Sequence, residues 1–372
     1  MITFKQFLIE QELLLCGGNV QIGDNFADRI DLQKINRSDI VKTLNDGLDA
    51  INTSFEKSFG LPLWNESLFK SKEFLSGSAF HFFNLQTIGD DEFVKVKSTV
   101  GDVDLQVDGN MAPMVKQFLD DNKGATFGSL TFIGYKSSTG QYISLWKLPE
   151  FNINVQIDFE LVDYDSAGNP NSWSQFSHSS TWNDLKAGIK GVFSKFLYSS
   201  LTAPKAKPMI IKAKTARGKD KIVNKGESSF SVSHGLRVKY SPILGADGSH
   251  VYENGMPTYT ELSTTESSGE RDLGAIFTAF FDKIPTNSEL KDMSSFIGTL
   301  SLIKQHKNSD IKKIADAFVD KLWGTNAQGL YRGNPSQDLN EKTAAILMMC
   351  TEFGLHPKQY DDLKVEYYKN YK

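Results

Sequence analysis

Three aspartates fall within seven residues in Asp102-Val103-Asp104-Leu105-Gln106-Val107-Asp108, and a second acidic stretch reads Asn152-Ile153-Asn154-Val155-Gln156-Ile157-Asp158-Phe159-Glu160-Leu161. In both, the even positions are polar and the odd ones apolar, the period of a half-buried strand. Asp102 and Asp104 therefore share a face, and so do Asp158 and Glu160. Carboxylates held that close repel one another and call for cations. If the two strands are neighbours, two or three carboxylates converge, an oxygen cage suited to hard Mg²⁺ beside a substrate phosphate. A sheet with one wet face also alternates and carries solvated Asp. Yet Asp is disfavoured in strands, and so dense a run is costly without compensation.

Upstream lies Leu75-Ser76-Gly77-Ser78, followed by Ala79-Phe80-His81-Phe82-Phe83. A Gly-Ser turn into a short helix exposes backbone N–H groups and a hydroxyl that can grip terminal phosphates. Alone the pair is common; before an Asp-x-Asp strand and a later Asp on another strand it is rare. At this point the chain resembles the DNA polymerase β-like nucleotidyltransferase superfamily. Its hallmark is a hydrophobic-Gly-Ser turn, an Asp-hydrophobic-Asp-hydrophobic strand and a third carboxylate on a neighbouring strand. The matching residues are Leu75 to Ser78, Asp102-Val103-Asp104-Leu105, and Asp158 within Val155 to Phe159. The resemblance covers residues 70–165. It departs in one respect: residues 79–101 separate the turn from the first Asp, a longer spacer than most members have. The excess, Ile88-Gly89-Asp90-Asp91-Glu92-Phe93-Val94-Lys95-Val96-Lys97, reads as an inserted β-hairpin.

The resemblance implies transfer of an NMP from an NTP to an acceptor hydroxyl, with release of pyrophosphate. Two Mg²⁺ ions are implied, with Mn²⁺ as the alternative. Asp102 and Asp104 would hold one and Asp158 would share the second; Glu160, on the same face, is the alternative third ligand. Gly77 and Ser78 would hold the terminal phosphates. In the superfamily the helix after the third carboxylate often supplies a lysine to the triphosphate. Lys186, Lys190 and Lys195 are the candidates here, and Lys190, between Gly188 and Gly191, is the one selected; solvated surface is the ordinary fate of such lysines and the alternative for each. The acceptor expected first is an RNA 3′ end, such as that of a tRNA. The alternatives are a protein or small-molecule acceptor, or a non-catalytic nucleotide- or RNA-binding protein on the same core.

The elements that must position these residues are legible in outline. Apolar spacing predicts a helix over 36–59, opening at Ser38 and closing at Gly60, and another from Met111 to Asp121. Strands are expected over 128–134 and 141–147 around a Ser-Ser-Thr-Gly turn. A helix from Trp182 to Leu201 follows, capped by Ser180 or Thr181. Strands are expected again between 228 and 262. Five helices then close the chain, over Arg271–Ile284, Ser288–His306, Ser309–Trp323, Leu339–Leu355 and Lys358–Lys372. The expected fold is α+β: a nucleotidyltransferase-type mixed sheet with helices on one side, plus a largely helical C-terminal domain. Its divisions would be an N-terminal helical segment (1–69), the core (70–202), a basic and β-rich region (203–268) and a helical bundle (269–372).

Composition restricts the function classes. The chain has 372 residues, 40% of them hydrophobic, and a net charge of −4. That suffices for a large core and does not suit a protein that coats nucleic acid. The charge is uneven, with Lys205, Lys207, Lys212, Lys214, Arg217, Lys219, Lys221 and Lys225 set against Asp220 alone. Such a run is either a solvated loop or a basic strap over the active-site mouth that touches polynucleotide or triphosphate. Cys16 and Cys350 lack metal-ligand or disulfide spacing. His178 falls in an expected loop after the third carboxylate, as a substrate contact or a capping residue. Hydrolase and P-loop patterns are missing. No apolar run reaches membrane-span length, so no membrane partner is expected. The opening Met1-Ile2-Thr3-Phe4-Lys5-Gln6-Phe7-Leu8 reads as an amphipathic helix start and not a secretory signal. It is similar in style to proteins of large tailed bacteriophages, which implies the host bacterial cytoplasm.

Overall fold

The computed structural model describes residues 20–138, 140–202, 271–306, 310–323 and 335–355, with short segments between 209 and 261. The chain divides into two compact units, Met1–Gly188 with Gln328–Glu341, and Ile189–Ala327 with Lys342–Lys372. The expected helices at the opening residues and at Lys358–Lys372 lie outside the described residues.

In the first unit, β1 (Gln21–Ile22) and β2 (Asn25–Phe26) form a small hairpin. A long helix follows, α1 (Arg37–Phe59). Its cap is Asn36 and not Ser38: the Asn36 side chain accepts from the amides of Ser38 and Asp39, satisfying N–H groups that the first turn leaves unpaired. At the other end the Gly60 N–H returns to the Glu56 carbonyl at 2.7 Å. Ile40, Leu44, Leu48, Ile51 and Phe55 recur every three or four residues and are fully buried, the stripe that seats α1 on the core.

Two short helices, α2 (Glu66–Ser71) and α3 (Gly77–Phe83), precede the expected hairpin. The segment is instead a helix, α4 (Asp90–Val96). Asp90, Asp91 and Glu92 occupy its first turn, where acidic side chains complement the helix dipole. Phe93 is fully buried. Alternation of Phe93, Lys95 and Lys97 with valines mimicked a strand over too few residues to separate the two periods.

The anchor of this insertion is Arg37, only 1% exposed. Its guanidinium donates to the carbonyls of His81 (2.8 Å), Phe82 (2.9 Å) and Ile88 (2.7 Å), and to Asp90 at 3.2 Å. It also lies over the Phe93 ring, 4.5 Å from the centroid. One side chain of α1 thereby fixes the end of α3 and the start of α4 together.

After α4, β4 (Thr99–Val100) pairs with β3 (Ile30–Asp31). The main sheet then forms from β5 (Asp102–Asp108), β6 (Thr126–Phe127), β7 (Leu130–Ser138), β8 (Gln141–Leu148) and β9 (Ile153–Val162), in the order β5-β9-β8-β7-β6. The first pair is parallel and the rest are antiparallel. A parallel pair requires a crossover; here it contains α5 (Ala112–Asp121) and the β7–β8 hairpin. The core joins α1, α5 and the sheet through aromatic contacts such as Phe55–Phe118 at 5.5 Å, Phe118–Phe127 at 5.4 Å and Phe132–Trp146 at 4.7 Å.

Beyond the sheet, the loop expected around His178 is partly a helix, α6 (Ser172–His178), with His178 as its last residue. The single helix expected over 182–201 is two, α7 (Trp182–Lys186) and α8 (Gly191–Leu201). Gly188 separates them with φ of 74°, a left-handed conformation that a helix cannot carry and that glycine adopts without strain.

The second unit begins at the residues just before α8. Tyr198 of α8 is fully buried, with ring contacts to Phe230 at 5.7 Å and Phe280 at 5.4 Å. Within the basic run, β10 (Met209–Lys214) and β11 (Asp220–Lys225) pair antiparallel, so the described part is a strand pair and not a loop. Lys205, Lys207, Arg217 and Lys219 lie outside the described residues. Further short strands follow, among them β12 (Ser228–Ser231) paired with β13 (Gly235–Val238).

The C-terminal helices are α9 (Leu273–Phe281), α10 (Asn287–Met293), α11 (Phe296–Gln305), α12 (Ile311–Trp323) and α13 (Pro335–Phe353). The helix expected over 288–306 is interrupted because Ser295 turns to cap α11, its hydroxyl accepting from the Gly298 amide at 2.7 Å. Among the described residues, no helix is long and apolar enough to cross a membrane. The fold is α+β: a mixed five-stranded sheet with helices, and a largely helical C-terminal region.

Candidate metal centre

Alternation along β5 and β9 decides which side chains share a face, and pairing decides which of them meet. In the parallel register Asp104 stands opposite Asp158, Asp102 opposite Gln156, and Gln106 opposite Glu160. One carboxylate oxygen from each of Asp102, Asp104 and Asp158 lies within 4.8 Å of the other two. Asp158 is 6% exposed, while Asp102 and Asp104 are half-buried.

Burial raises the proton affinity of all three. Asp102 is raised mainly by burial and further by Glu160, with Lys97 and Arg29 opposing. Asp104 is held well above the usual carboxylate range by burial, then by repulsion from Asp102, Glu160 and Asp158, with Lys97 opposing. Asp158 is pushed up to about 8 by burial and by Asp102, against a hydrogen bond from Gln156. Like charges at this range cannot all ionise without a counter-charge. A hard divalent cation supplies one, and carboxylate oxygens are the ligands it prefers. The donor set therefore fits a Mg²⁺-type ion.

Asp158 is held in place. Gln156 donates from Nε2 to both its oxygens, at 2.9 and 3.1 Å, while Gln156 Oε1 accepts from the Val20 amide at 3.0 Å. Glu160 is engaged elsewhere. Its Oε2 accepts from the Ser76 hydroxyl at 2.8 Å and lies 3.1 Å from His178 Nδ1. Of the two third-ligand alternatives, Asp158 is the one that joins Asp102 and Asp104.

The Gly-Ser turn is brought to the same place by backbone pairing. The Ser76 amide donates to the Asp104 carbonyl at 3.1 Å, and the Gln106 amide donates to the Phe74 carbonyl at 2.7 Å. Residues 74–76 thus run along the outer edge of β5. Gly77 then turns with φ of 55°, so close that a Cβ there would stand 3.2 Å from Asp104 Oδ2. A side chain at 77 would be strained and would crowd that carboxylate. The Ser78 hydroxyl accepts from Lys97 Nζ at 2.6 Å.

Of the residues selected from the sequence, Asp102, Asp104, Asp158 and Gly77 come together, and Ser78 follows in the same turn. Lys190 precedes α8 as its N-cap residue and belongs to the second unit. Gln156 and Lys97 are not among the residues selected, and neither is the contact that joins Glu160, the alternative third ligand, to Ser76 and His178. Gln156 had a signal, since it shares the polar face of β9 with Asp158. Lys97 had none, because its segment read as a hairpin. Comparison with protein-family models, curated proteins and solved structures finds no match to this chain.

Proposed function

We propose that the chain is a metal-dependent nucleotidyltransferase with a DNA polymerase β-like core, moving an NMP from an NTP to an acceptor hydroxyl. The observation that carries this reading is the convergence of Asp102, Asp104 and Asp158 from two adjacent parallel strands. The Gly77 turn packed against Asp104 supports it.

In this reading Asp102, Asp104 and Asp158 hold the divalent ions. When bound, Mg²⁺ would neutralise charge on the phosphates and lower the pKa of the acceptor hydroxyl. The Gly77–Ser78 turn receives the terminal phosphates. The acceptor oxygen bonds to the α-phosphorus while the α–β phosphoanhydride bond breaks, and pyrophosphate departs with that electron pair. The acceptor's proton leaves to solvent water as the new bond forms. The chain's contribution is positioning and charge, which serve this chemistry well.

The acceptor we favour is an RNA 3′ end, on the strength of the basic run from Lys205 to Lys225. The host bacterial cytoplasm is the compartment that goes with this reading. Incubation of the purified chain with Mg²⁺, labelled NTPs, RNA and candidate protein and small-molecule acceptors tests it. Label on RNA is the expected result. Label on a protein or small molecule replaces the acceptor, and NTP binding without incorporation replaces the enzyme by a binding protein. No binding and no transfer defeats the proposal.

A further inference from the structure

Lys97 stands where the insertion meets the carboxylates. It is the residue that ends α4, its amide donating to the Phe93 carbonyl at 2.7 Å. Its ammonium donates to Ser78 Oγ at 2.6 Å. Ser78 follows Gly77, whose turn packs against the Asp104 carboxylate. Lys97 therefore contacts the turn that would receive the terminal phosphates, beside the residues that would hold the metal.

Its position is built and not incidental. The path from Arg37 through Asp90, Ile88 and Phe93 fixes α4 to α1 and α3 by buried hydrogen bonds and a ring contact. Ser38 Oγ adds a bond to Asp90 at 2.6 Å. A long side chain leaving a fixed helix end loses less freedom on contacting a ligand than one on a loose loop. The ammonium is also a compact cation suited to phosphate oxygens that bear localised charge.

We infer that Lys97 is a phosphate-contacting residue that selects nucleoside triphosphates over monophosphates, and that the 88–97 insertion serves to deliver it. This inference rests on the nucleotidyltransferase reading and adds to it a specific contact with the departing pyrophosphate. A lysine that served only to neutralise the carboxylates would alter metal affinity while leaving phosphate-length preference unchanged.

The test measures binding of each of the four NTPs and the matching NMPs to the full chain in Mg²⁺, for wild type, Lys97→Met and Lys97→Arg. The expected result is that Lys97→Met weakens NTP binding about 10- to 100-fold with NMP binding unchanged. Lys97→Arg should restore most of the preference. If wild type prefers NTP and Lys97→Met keeps the same NTP:NMP ratio, the inference falls and the parent reading stands. If wild type binds no NTP, both fall. Should Lys97→Met not fold, Lys97→Gln, which keeps a donor toward Ser78 without the charge, decides by the same ratio.

Discussion

Asp104 of β5 and Asp158 of β9 are direct partners across a parallel strand pair. Strand partners on one face stand close enough for their side chains to interact, and two carboxylates there repel unless something separates their charge. Asp102, two residues before Asp104, joins them from the same face. The sheet holds these groups together against their own repulsion. A bound divalent cation would offset that cost.

Replacing Asp102 or Asp104 by Asn should reduce transfer by about a thousandfold or more, because the ligand set fails while the packing beneath it remains. The fold should survive, and the metal-free variant should melt above metal-free wild type, since one repelling charge is gone. Circular dichroism melts alongside the incorporation assay check both halves. A variant with near-normal transfer would remove the metal centre from the mechanism.

Metal-free stability should depend on pH through the same cluster. Asp158 keeps its proton in the folded state up to about 8, whereas in the unfolded chain it loses it near the ordinary carboxylate value of 3.8. Over that window the folded state binds more protons, so this group's stabilisation is complete below the lower value and is lost as pH rises through the upper. The slope is up to about 1.4 kcal/mol per pH unit for each proton retained. Adding Mg²⁺ or Mn²⁺ should therefore raise Tm more at pH 8 than at pH 6. An equal increment at both pH values would speak against ion binding by these carboxylates.

The third ligand can be assigned by substitution. Asp158→Asn should lower Mn²⁺ affinity about 100-fold by removing the ligand's charge, while the amide oxygen can still accept from Gln156. Glu160→Gln should change it far less, since Glu160 is occupied by Ser76 and His178. Titration followed by electron paramagnetic resonance reads free Mn²⁺ directly. The reverse order of effects would transfer the ligand role to Glu160.

How much of this was readable beforehand follows from the range of each signal. The period-two pattern is local, so it placed Asp102 with Asp104 and Asp158 with Glu160. It left open whether the strands touch, because pairing is set by the crossover through residues 109–152. Choosing between Asp158 and Glu160 required Ser76, a partner 84 residues away from Glu160 in sequence. The insertion reads as a hairpin because seven helical residues contain too few periods to outweigh Val94 and Val96 as strand formers. The break at Gly188 has a signal in the closely spaced Gly188 and Gly191, which the apolar stripe of Phe193 and Leu197 outweighs.

Arg37 offers the last test, since it decides whether the insertion is a fixed part of the site. Its guanidinium is buried with three carbonyls and Asp90 as acceptors. Arg37→Met removes the charge and leaves those carbonyls without their donor, a loss of about 3–5 kcal/mol for a buried, hydrogen-bonded ion. Arg37→Lys should recover little of it, because one ammonium cannot reproduce the planar fork that reaches His81, Phe82 and Ile88 together. Hydrogen exchange should show the loss concentrated in residues 81–97, and NTP affinity should fall with it as Lys97 loses its fixed base. Exchange that rises evenly over the whole first unit would mean that Arg37 supports the core in general, and would separate it from the delivery of Lys97.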